Sequence, residues 1–367
     1  MEFFPLKPET FGINISDLSI KIVKLKEKKG KYILSSFSKI KVKEGVIENG
    51  EIKNEEKAAF YIREALKSIK GEKIRTKYVV VSLPEEKTFL TVVPMPIMPD
   101  EELSSAILFE AENYIPLSLD KVYLSWEKLP PSSEISQRIE VLVCACPKEI
   151  ANSYLRVLKK ANLEPVAFET ESLAIARSLI PRSERDLAAL ILDLGEAKTL
   201  LAIYFKNSVR FTTNLPISGR LFTELIAKNL KIKFSAAEKL KIKYGLKEAL
   251  KMKFVDVAKI FKVEKGKIFE ALVPALVDLV EQIKKAMIFF ETHDHRFLKG
   301  EKIKKILICG EGANLKGLRE FLALKLQVPV EYGNPFTNLS FLKPPSLTLE
   351  KTLSLSTAIG LAMRKYD

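Results

Sequence analysis

The chain has few of the residues that build disulfide frameworks or metal sites. Three cysteines and two histidines occur among its 367 residues. Cys144 and Cys146 lie within one apolar run and Cys309 ends another, a setting typical of small buried side chains. We therefore expect neither a disulfide framework nor a cysteine metal site.

Long hydrophobic runs are missing as well. No apolar stretch reaches the roughly 20 residues that span a bilayer, and residues 1–5 lack the basic and apolar regions of a secretory signal. We therefore expect a cytoplasmic protein. With 47% apolar and 29% charged residues, the chain is long enough for two domains with full cores.

Acidic residues are outnumbered by basic ones, which gives a formal net charge of +14. Such a charge can indicate nucleic-acid binding. The densest lysine groups, at residues 24–29, 228–243 and 299–305, are mixed with apolar residues at helix or strand spacing. This spacing is typical of solvated faces, so we expect no nucleic-acid partner.

One pattern of strands and turns occurs twice in the chain. Apolar residues lead into a polar turn at residues 14–21 and again at 193–199, and two further strands follow in each copy. Two such three-stranded meanders predict two similar halves. Backbone N–H groups in such turns bind anions, and a nearby carboxylate can hold the water shell of magnesium. The repeat therefore indicates a nucleotide between two facing turns.

The segments between and after the meanders indicate the architecture. A helical stripe over residues 54–70 and a buried strand over 78–83 follow the first meander. Prolines then punctuate short strands and a helix at about 100–113, a pattern typical of an inserted subdomain. Later, a strand at 305–309 runs into a glycine turn that lets a backbone approach a planar ligand. We expect that turn to open a helix at about 315–326.

Taken together, these features resemble the actin-like ATPase superfamily over nearly the whole chain. Its first phosphate motif is matched by Asn14, Ile15, Ser16, Asp17, Ser19 and Lys21, and its second by Asp193, Leu194, Gly195 and Thr199. The segments that contain Gly219, Glu238 and Lys241 resemble its adenosine pocket, and Gly310, Gly312 and Ala313 resemble its adenosine motif.

Other segments are similar to the PilM family of pilus-assembly proteins within that superfamily. Residues 99–116 look like the family's inserted subdomain, 163–174 like its interdomain connection and 356–362 like its closing helix. The resemblance implies an α/β, actin-like (ribonuclease H-like) fold of two lobes. Each lobe is expected to hold a mixed sheet with flanking helices, and the first lobe to carry the inserted subdomain.

Domain boundaries follow from the same resemblance. We expect the first-lobe core at 8–83, the inserted subdomain at 84–147, the return to the first lobe and the connection at 148–186, the second-lobe core at 187–216 and 275–348, its insert at 217–274, and the closing helix at 349–367.

The resemblance also implies that ATP and magnesium bind in the cleft between the lobes. The residues expected to contact the cofactor are Asn14, Ser16, Asp17, Ser19, Lys21, Asp193, Gly195, Thr199, Gly219, Glu238, Lys241, Gly310, Gly312 and Ala313. Asp193 would hold magnesium through water, with Asn14 and Asp17 as further candidates for the metal.

Catalysis is expected to be weak, because the first motif departs from the superfamily pattern. Asn14 replaces an aspartate and Ser16 replaces a glycine, while Asp17 either restores the lost charge or repels the phosphates. Asp193 and Glu171 are the candidate catalytic residues, and Glu171 would orient the attacking water. The alternative for Glu171 is a surface cap on the connection helix. At most, we expect a slow magnesium-dependent ATPase.

The resemblance implies a cytoplasmic scaffold of the type IV pilus inner-membrane assembly complex. Its partner would be the cytoplasmic N-terminal tail of a PilN-like membrane protein, held in a groove between the first lobe and the inserted subdomain. That tail would bring the protein indirectly to the inner face of the cytoplasmic membrane. Self-association is a further expectation. The alternatives are a filament-forming protein like FtsA and, in another class, a small-molecule kinase.

Overall fold

Two mixed sheets form the framework of the protein, one in each lobe. The computed structural model describes residues 8–130, 138–246, 264–293, 301–341 and 347–364. Within these ranges the strands form sheets of six, five, three and two strands. A search of the same ranges finds no helix with the length and hydrophobicity needed to cross a membrane.

The six-stranded sheet belongs to the first lobe. Its strands are β1 (Phe11–Ser16), β2 (Ser19–Lys28), β3 (Lys31–Lys41), β6 (Lys70–Gly71), β7 (Tyr78–Leu83) and β11 (Glu164–Thr170), and their order is β11-β7-β1-β2-β3-β6. A short hairpin, β4 (Ile47–Glu48) and β5 (Glu51–Ile52), lies beside it. Strand β2 is antiparallel to both β1 and β3, so the predicted first meander is confirmed. On its other side, β1 is parallel to β7.

Two helices, α1 (Glu55–Lys67) and α3 (Lys148–Lys160), cover one face of this sheet. Asn54 caps α1, because its side chain accepts a hydrogen bond from the Lys57 N–H at 2.9 Å. Apolar residues of the helices and of β1 and β7 are buried together in one cluster. This burial holds the end of β1 at a fixed position on the rim of the cleft.

The inserted subdomain contains a three-stranded antiparallel sheet. Its elements are β8 (Phe89–Pro96), α2 (Asp100–Ala111), β9 (Val122–Lys128) and β10 (Arg138–Pro147), and β10 is the central strand. A one-turn 3-10 helix, Glu85–Lys87, leads into β8, and another, Leu119–Lys121, leads into β9. Helix α2 buries Leu103, Ile107 and Ala111 against the sheet, which gives the subdomain its own small core.

The second lobe repeats the meander in a five-stranded sheet. Its strands are β12 (Ala189–Leu194), β13 (Thr199–Phe205), β14 (Ser208–Leu215), β15 (Lys305–Cys309) and β16 (Val330–Tyr332), and their order is β14-β13-β12-β15-β16. Its helices are α5 (Gly219–Leu230), α6 (Phe234–Tyr244), α7 (Glu264–His293) and α8 (Leu318–Leu326). Residues 247–263 of the predicted second-lobe insert lie outside the described residues.

Three helices connect the lobes: α4 (Glu171–Leu179), α9 (Leu349–Leu353) and α10 (Ser356–Ala362). A 3-10 turn, Arg182–Glu184, follows α4. Helix α10 returns to the first lobe so closely that a Cβ on Gly360 would lie 1.8 Å from the Ala174 carbonyl oxygen. A glycine is therefore required where α10 crosses α4.

The turn after β15 differs from its prediction. A helix was expected to open at about residue 315, but Gly312–Asn314 form a 3-10 turn and α8 begins at Leu318. Gly317 precedes α8 with a φ of +83°, a left-handed conformation that interrupts helical geometry. The helix therefore starts three residues later than expected.

Candidate functional site

The two repeated turns face each other across a narrow cleft between the lobes. A cavity of about 40 Å³ lies between them, enough for an ion or a few water molecules. Eight predicted site residues line it: Asn14, Ser16, Asp17, Ser19, Lys21, Glu171, Asp193 and Gly195. The structure thus brings both predicted phosphate motifs and the candidate catalytic residues together.

The first turn holds its polar side chains mostly within its own lobe. Asn14 is buried, and its Nδ2 donates to Ser82 Oγ and to Glu171 Oε1, both at 2.9 Å. The Asp17 carboxylate accepts from the backbone N–H groups of Asn49 and Gly50 at 2.9 and 3.0 Å. Asp17 therefore fastens the β4–β5 turn to this hairpin.

The second turn is fastened to the start of helix α5. The Gly195 N–H donates to the Lys198 carbonyl oxygen at 2.9 Å, and the Gly195 carbonyl oxygen accepts from the Gly219 N–H at 3.0 Å. A Cβ on Gly195 would lie 2.7 Å from the Lys198 oxygen. Thr199 is fully buried, and its hydroxyl donates to the Ile217 carbonyl oxygen at 2.6 Å. The Thr199 hydroxyl thus stabilises the loop rather than facing the cavity.

Glu171 is not a surface cap, because only 7% of it is exposed. It begins helix α4 and faces the cavity. Burial raises the pKa of Glu171 to about 7; the Lys198 ammonium opposes this rise and the Glu86 carboxylate adds to it. Burial also raises the pKa of Asp193, against the effect of the Lys21 ammonium. Both carboxyl groups therefore lack sufficient positive charge nearby.

Lysines from both lobes cross the cleft. Lys198 of the second lobe pairs with Glu86 and lies 3.7 Å from Glu171 Oε2. In the opposite direction, Lys39 and Lys21 of the first lobe lie 2.6 and 3.9 Å from Glu311 Oε1. These pairs hold the two turns against each other and close the cleft.

Sequence reasoning missed Lys198, Glu86 and Lys39. Lys198 stands inside the second motif, and its place next to Asp193 and Gly195 was a usable signal. Glu86 lies 112 positions from Lys198 in the chain. No local pattern in the sequence reveals such a pair, because only the packing of the lobes brings the two side chains together.

The residues expected around adenosine form a connected group in the second lobe. Lys241 Nζ donates to the Gly219 carbonyl oxygen at 2.6 Å and to Thr223 Oγ1 at 2.8 Å. It also pairs with Glu238 at 2.8 Å. Lys241 therefore ties α6 to the first turn of α5, directly beside the second phosphate turn.

Close contact between backbone segments brings the predicted adenosine motif, Gly310 to Ala313, next to Asp193. A Cβ on Gly310 would lie 2.2 Å from Asp193 Oδ1, and one on Gly312 would lie 2.9 Å from the Leu194 Cβ. Ala313 is fully buried in the second-lobe core. The glycines thus allow the end of β15 to touch Asp193, while Ala313 supports the turn from behind.

Comparison with known proteins places the chain in a family. The family model described as type IV pilus assembly protein PilM matches residues 12–366. The chain belongs to the PilM family. A solved PilM-PilN type IV pilus biogenesis complex shares 25% sequence identity with this PilM-family protein, covers 98% of both chains and superposes with a TM-score of 0.79.

More distant similarities are found to one protein by sequence and to another by fold. The cell division protein FtsA of Buchnera aphidicola subsp. Acyrthosiphon pisum is 23% identical over 246 residues, which cover 62% of this chain and 56% of that protein. MreB5 of Spiroplasma citri, solved with ADP bound, is 13% identical over 96% of this chain and 95% of its own, with a TM-score of 0.54. The chain spans about half the length of the curated FtsA relatives it matches. The predicted actin-like fold is confirmed.

The cleft of this PilM-family protein contains acidic oxygens of the kind that a hydrated magnesium ion binds. Two buried carboxylate oxygens, Glu86 Oε1 and Glu196 Oε2, have no hydrogen-bond partner among the described residues. Within the same ranges, no group of three or more His, Cys, Asp or Glu side chains converges to bind a metal directly. The other oxygen of each carboxylate faces a lysine, Lys198 or Lys41, and a free acidic oxygen outside a direct coordination cage fits a cation bound through water.

A second and larger cavity, of about 360 Å³, lies on another side of the connection helix. The inserted subdomain contributes Leu129 and Leu142, α4 contributes Leu173 and Arg177, and the second lobe contributes Tyr204 and Val209. The cavity therefore has walls from the inserted subdomain, the connection helix and the second lobe. The groove expected from the sequence, between the first lobe and the inserted subdomain, stays a prediction.

Proposed function

We propose that this PilM-family protein is a cytoplasmic, nucleotide-binding scaffold of the type IV pilus inner-membrane assembly complex. It binds ATP with magnesium in the interlobe cleft and the cytoplasmic N-terminal tail of a PilN-like membrane protein in the larger cavity. The tail tethers it to the inner face of the cytoplasmic membrane. The observation that carries the proposal is the convergence of both phosphate turns and the glycines after β15 on Asp193.

In the cleft, the second lobe supplies most of the groups that would hold the nucleotide. The Gly195 turn offers backbone to the phosphates, and Asp193 would hold magnesium through water, with Asn14 and Asp17 less engaged because their side chains already bind protein groups. Gly219, Glu238 and Lys241 would border the adenosine. Lys198 and Lys21 would neutralise phosphate charge once drawn from Glu86 and Glu311.

Hydrolysis is proposed to be slow. Bound magnesium supplies charge stabilisation at the phosphates. Glu171 is the candidate that would orient a water molecule, but it is already bonded to Asn14 and its pKa of about 7 leaves it partly protonated near neutral pH. An enzyme of this kind would be at most a weak ATPase.

The larger cavity is the proposed site for the partner tail because it combines size with mixed chemistry. Its volume of about 360 Å³ lies within the range of binding pockets. Its apolar wall comes from Leu129, Leu142 and Leu173, while Arg177 is fixed by buried Glu169. An extended segment with apolar side chains would bury them there. The similar solved complex contains PilN, which supports the identity of the proposed partner.

Isothermal titration tests both halves of the proposal. ATP with magnesium should bind the wild-type protein, and Asp193→Asn should weaken the binding at least tenfold. A synthetic peptide of the PilN-like tail should bind the wild-type protein and bind Leu129→Ala less tightly. Leu108→Ala, on the exposed face of α2 in the same subdomain, is the matched control and should bind normally. Absence of ATP binding together with absence of tail binding would contradict the proposal.

Similarity to FtsA favours a second candidate, self-association into filaments. The relatives that support it share only 23–25% identity over about half of their length. Light scattering after addition of ATP and magnesium distinguishes the two functions. A filament-forming protein should scatter strongly, whereas a scaffold should show only small oligomers.

A further inference from the structure

The one-turn 3-10 helix Glu85–Lys87 stands between the cleft and the inserted subdomain. Glu86 reaches into the cleft and pairs with Lys198 of the second lobe. Its neighbour Glu85 is buried on the other side, where it accepts from the Ser172 N–H at 3.0 Å and from Ser172 Oγ at 2.8 Å. The turn that contains Glu85 also contacts β14 of the second lobe, where Thr212 lies near the Glu85 carboxyl group. This single turn, named here the Glu85–Lys87 turn, therefore touches the cleft, the connection helix and the second lobe.

Strand β8 continues this turn into the inserted subdomain. It begins at Phe89, two residues after the turn ends. Leu90 packs against the core of the second lobe, and Val92 is paired with Leu142 of β10. Leu142 in turn lines the larger cavity. One hydrogen-bonded sheet thus connects the Glu85–Lys87 turn to a wall of the cavity.

A buried ion pair anchors the far end of the same sheet. Arg210 of β14 pairs with Glu140 of β10, and the side chains of both are almost fully buried, with exposures of 4% and 1%. Arg210 also donates to the Phe205 carbonyl oxygen at 3.1 Å. The sheet is therefore attached to the second lobe at Glu140 and joined to the cleft at the Glu85–Lys87 turn.

We infer that the Glu85–Lys87 turn couples the cleft to the partner cavity, with the Lys198–Glu86 ion pair as the latch of the closed state. This inference rests on the proposed function, in which phosphates enter the cleft. Phosphates compete with Glu86 for the Lys198 ammonium, so the ion pair exists only in the nucleotide-free state. Coupling requires such a difference in contacts between the two states.

The test needs a signal from the inserted subdomain that depends on neither ligand. Trp126 is the single tryptophan of the chain, and it lies in β9 against the subdomain core, paired with Val143 of β10. Its fluorescence, together with hydrogen exchange of the amides of β10, reports on the subdomain. Without nucleotide, Glu86→Gln and Lys198→Met should both change the Trp126 emission and speed exchange in β10. The double variant should match either single variant.

Lys41→Met is the matched control. Lys41 also joins the first lobe to the second turn, at 3.5 Å from Glu196 Oε1, but it does not contact the Glu85–Lys87 turn. It should leave Trp126 emission and β10 exchange as in the wild type. If Glu86→Gln is indistinguishable from Lys41→Met in both readouts, the inference is overturned.

Nucleotide and tail then separate this inference from the proposed function. With saturating ATP and magnesium, the wild-type affinity for the tail peptide should change at least fivefold, a typical allosteric coupling, and Glu86→Gln should reduce that change to less than twofold. Equal coupling in both proteins would overturn the inference and leave the binding functions intact. Failure of all variants to bind ATP would refute the nucleotide site, while the nucleotide-free comparison with Lys41→Met still decides the latch.

Discussion

The two turns that face the cleft share their strand framework but differ in what their side chains contact. The turn between β1 and β2 holds two residues, Asp17 and Leu18, whereas the turn between β12 and β13 holds four residues, 195–198. Asp17 bonds to backbone of its own lobe. Lys198 instead crosses the cleft to Glu86 and Glu171.

This difference shows how a repeated fold can assign different tasks to equivalent positions. The side chain of Asp17 in the short first turn is bonded within its own lobe, so this turn forms a fixed wall of the cleft. The longer second turn carries a charge into the other lobe, and glycines pack against it closely. We therefore expect substitutions around the second turn to have the larger effects.

Gly310→Ala is expected to have the largest effect. Gly310 has a φ of +80°, and an added Cβ would lie 2.2 Å from Asp193 Oδ1 and 2.5 Å from the Leu194 carbonyl oxygen. Backbone strain and overpacking together should lower the free energy of unfolding by about 3–5 kcal/mol. Chemical denaturation measures this loss.

Gly30→Ala is the matched control for that change, in the first meander. Gly30 has a similar φ of +71°, but an added Cβ would meet no atom within 4 Å. Only the strain of about 1 kcal/mol should remain. An equal loss in the free energy of unfolding for the two variants would show that the packing around Asp193 is looser than in the structure.

Asn14→Asp places a carboxylate just before the first turn, as Asp193 does just before the second, and it should have the next largest effect. The new carboxylate can still accept from the Ser82 hydroxyl, but it cannot donate to Glu171 Oε1, which Asn14 Nδ2 now contacts at 2.9 Å. The lost hydrogen bond to Glu171 and the buried like charges should lower the free energy of unfolding by about 3 kcal/mol without magnesium. Thermal denaturation with and without magnesium measures the effect.

The double variant Asn14→Asp, Glu171→Gln distinguishes charge from shape at this contact. The carboxamide introduced at position 171 can donate to the carboxylate introduced at position 14, which restores one hydrogen bond with the direction reversed. Most of the lost stability should return. If the double variant is no more stable than Asn14→Asp alone, the repulsion does not come from Glu171.

Much of the fold could be predicted from the sequence, because local sequence patterns determine its strands and turns. Apolar runs around polar turns predicted both meanders, and prolines predicted short strands and a helix that lie close to β8 and α2. The late start of α8 was not predicted, since the left-handed Gly317 looks like any glycine near a turn.

The sequence predicted the candidate site only in part. Motif positions such as Asp193 and Gly195 do line the cleft. The partners of these residues were not foreseen, because contacts such as Lys198 with Glu86 or Asp17 with Gly50 join distant segments that only tertiary packing brings together. The Thr199 hydroxyl was assigned to the nucleotide, but buried hydroxyls satisfy the nearest carbonyl oxygen first.

Glu171→Gln tests the electrostatics between the turns through the pH dependence of stability. Burial raises the pKa of Glu171 from 4.5 to about 7 in the folded protein. The protonated Glu171 carboxyl group therefore makes its full contribution to the stability of the folded protein below pH 4.5, and this contribution is lost as the pH rises through 7. The variant should gain about 3 kcal/mol relative to the wild type between pH 4.5 and pH 8. Urea denaturation at the two pH values measures this gain, and a difference independent of pH would show that Glu171 titrates normally.

Asp17→Asn should have the smallest effect and sharpens the comparison most directly. Asparagine keeps one oxygen for the Asn49 or Gly50 N–H and loses the other bond, so the free energy of unfolding should fall by about 1 kcal/mol. If the first turn is only a wall, affinity for ATP with magnesium should stay within twofold, in contrast to Asp193→Asn. A tenfold loss of affinity would instead make Asp17 a participant in the metal site. The missing charge of Asn14 would then be supplied three residues later, and the two turns would be equivalent after all.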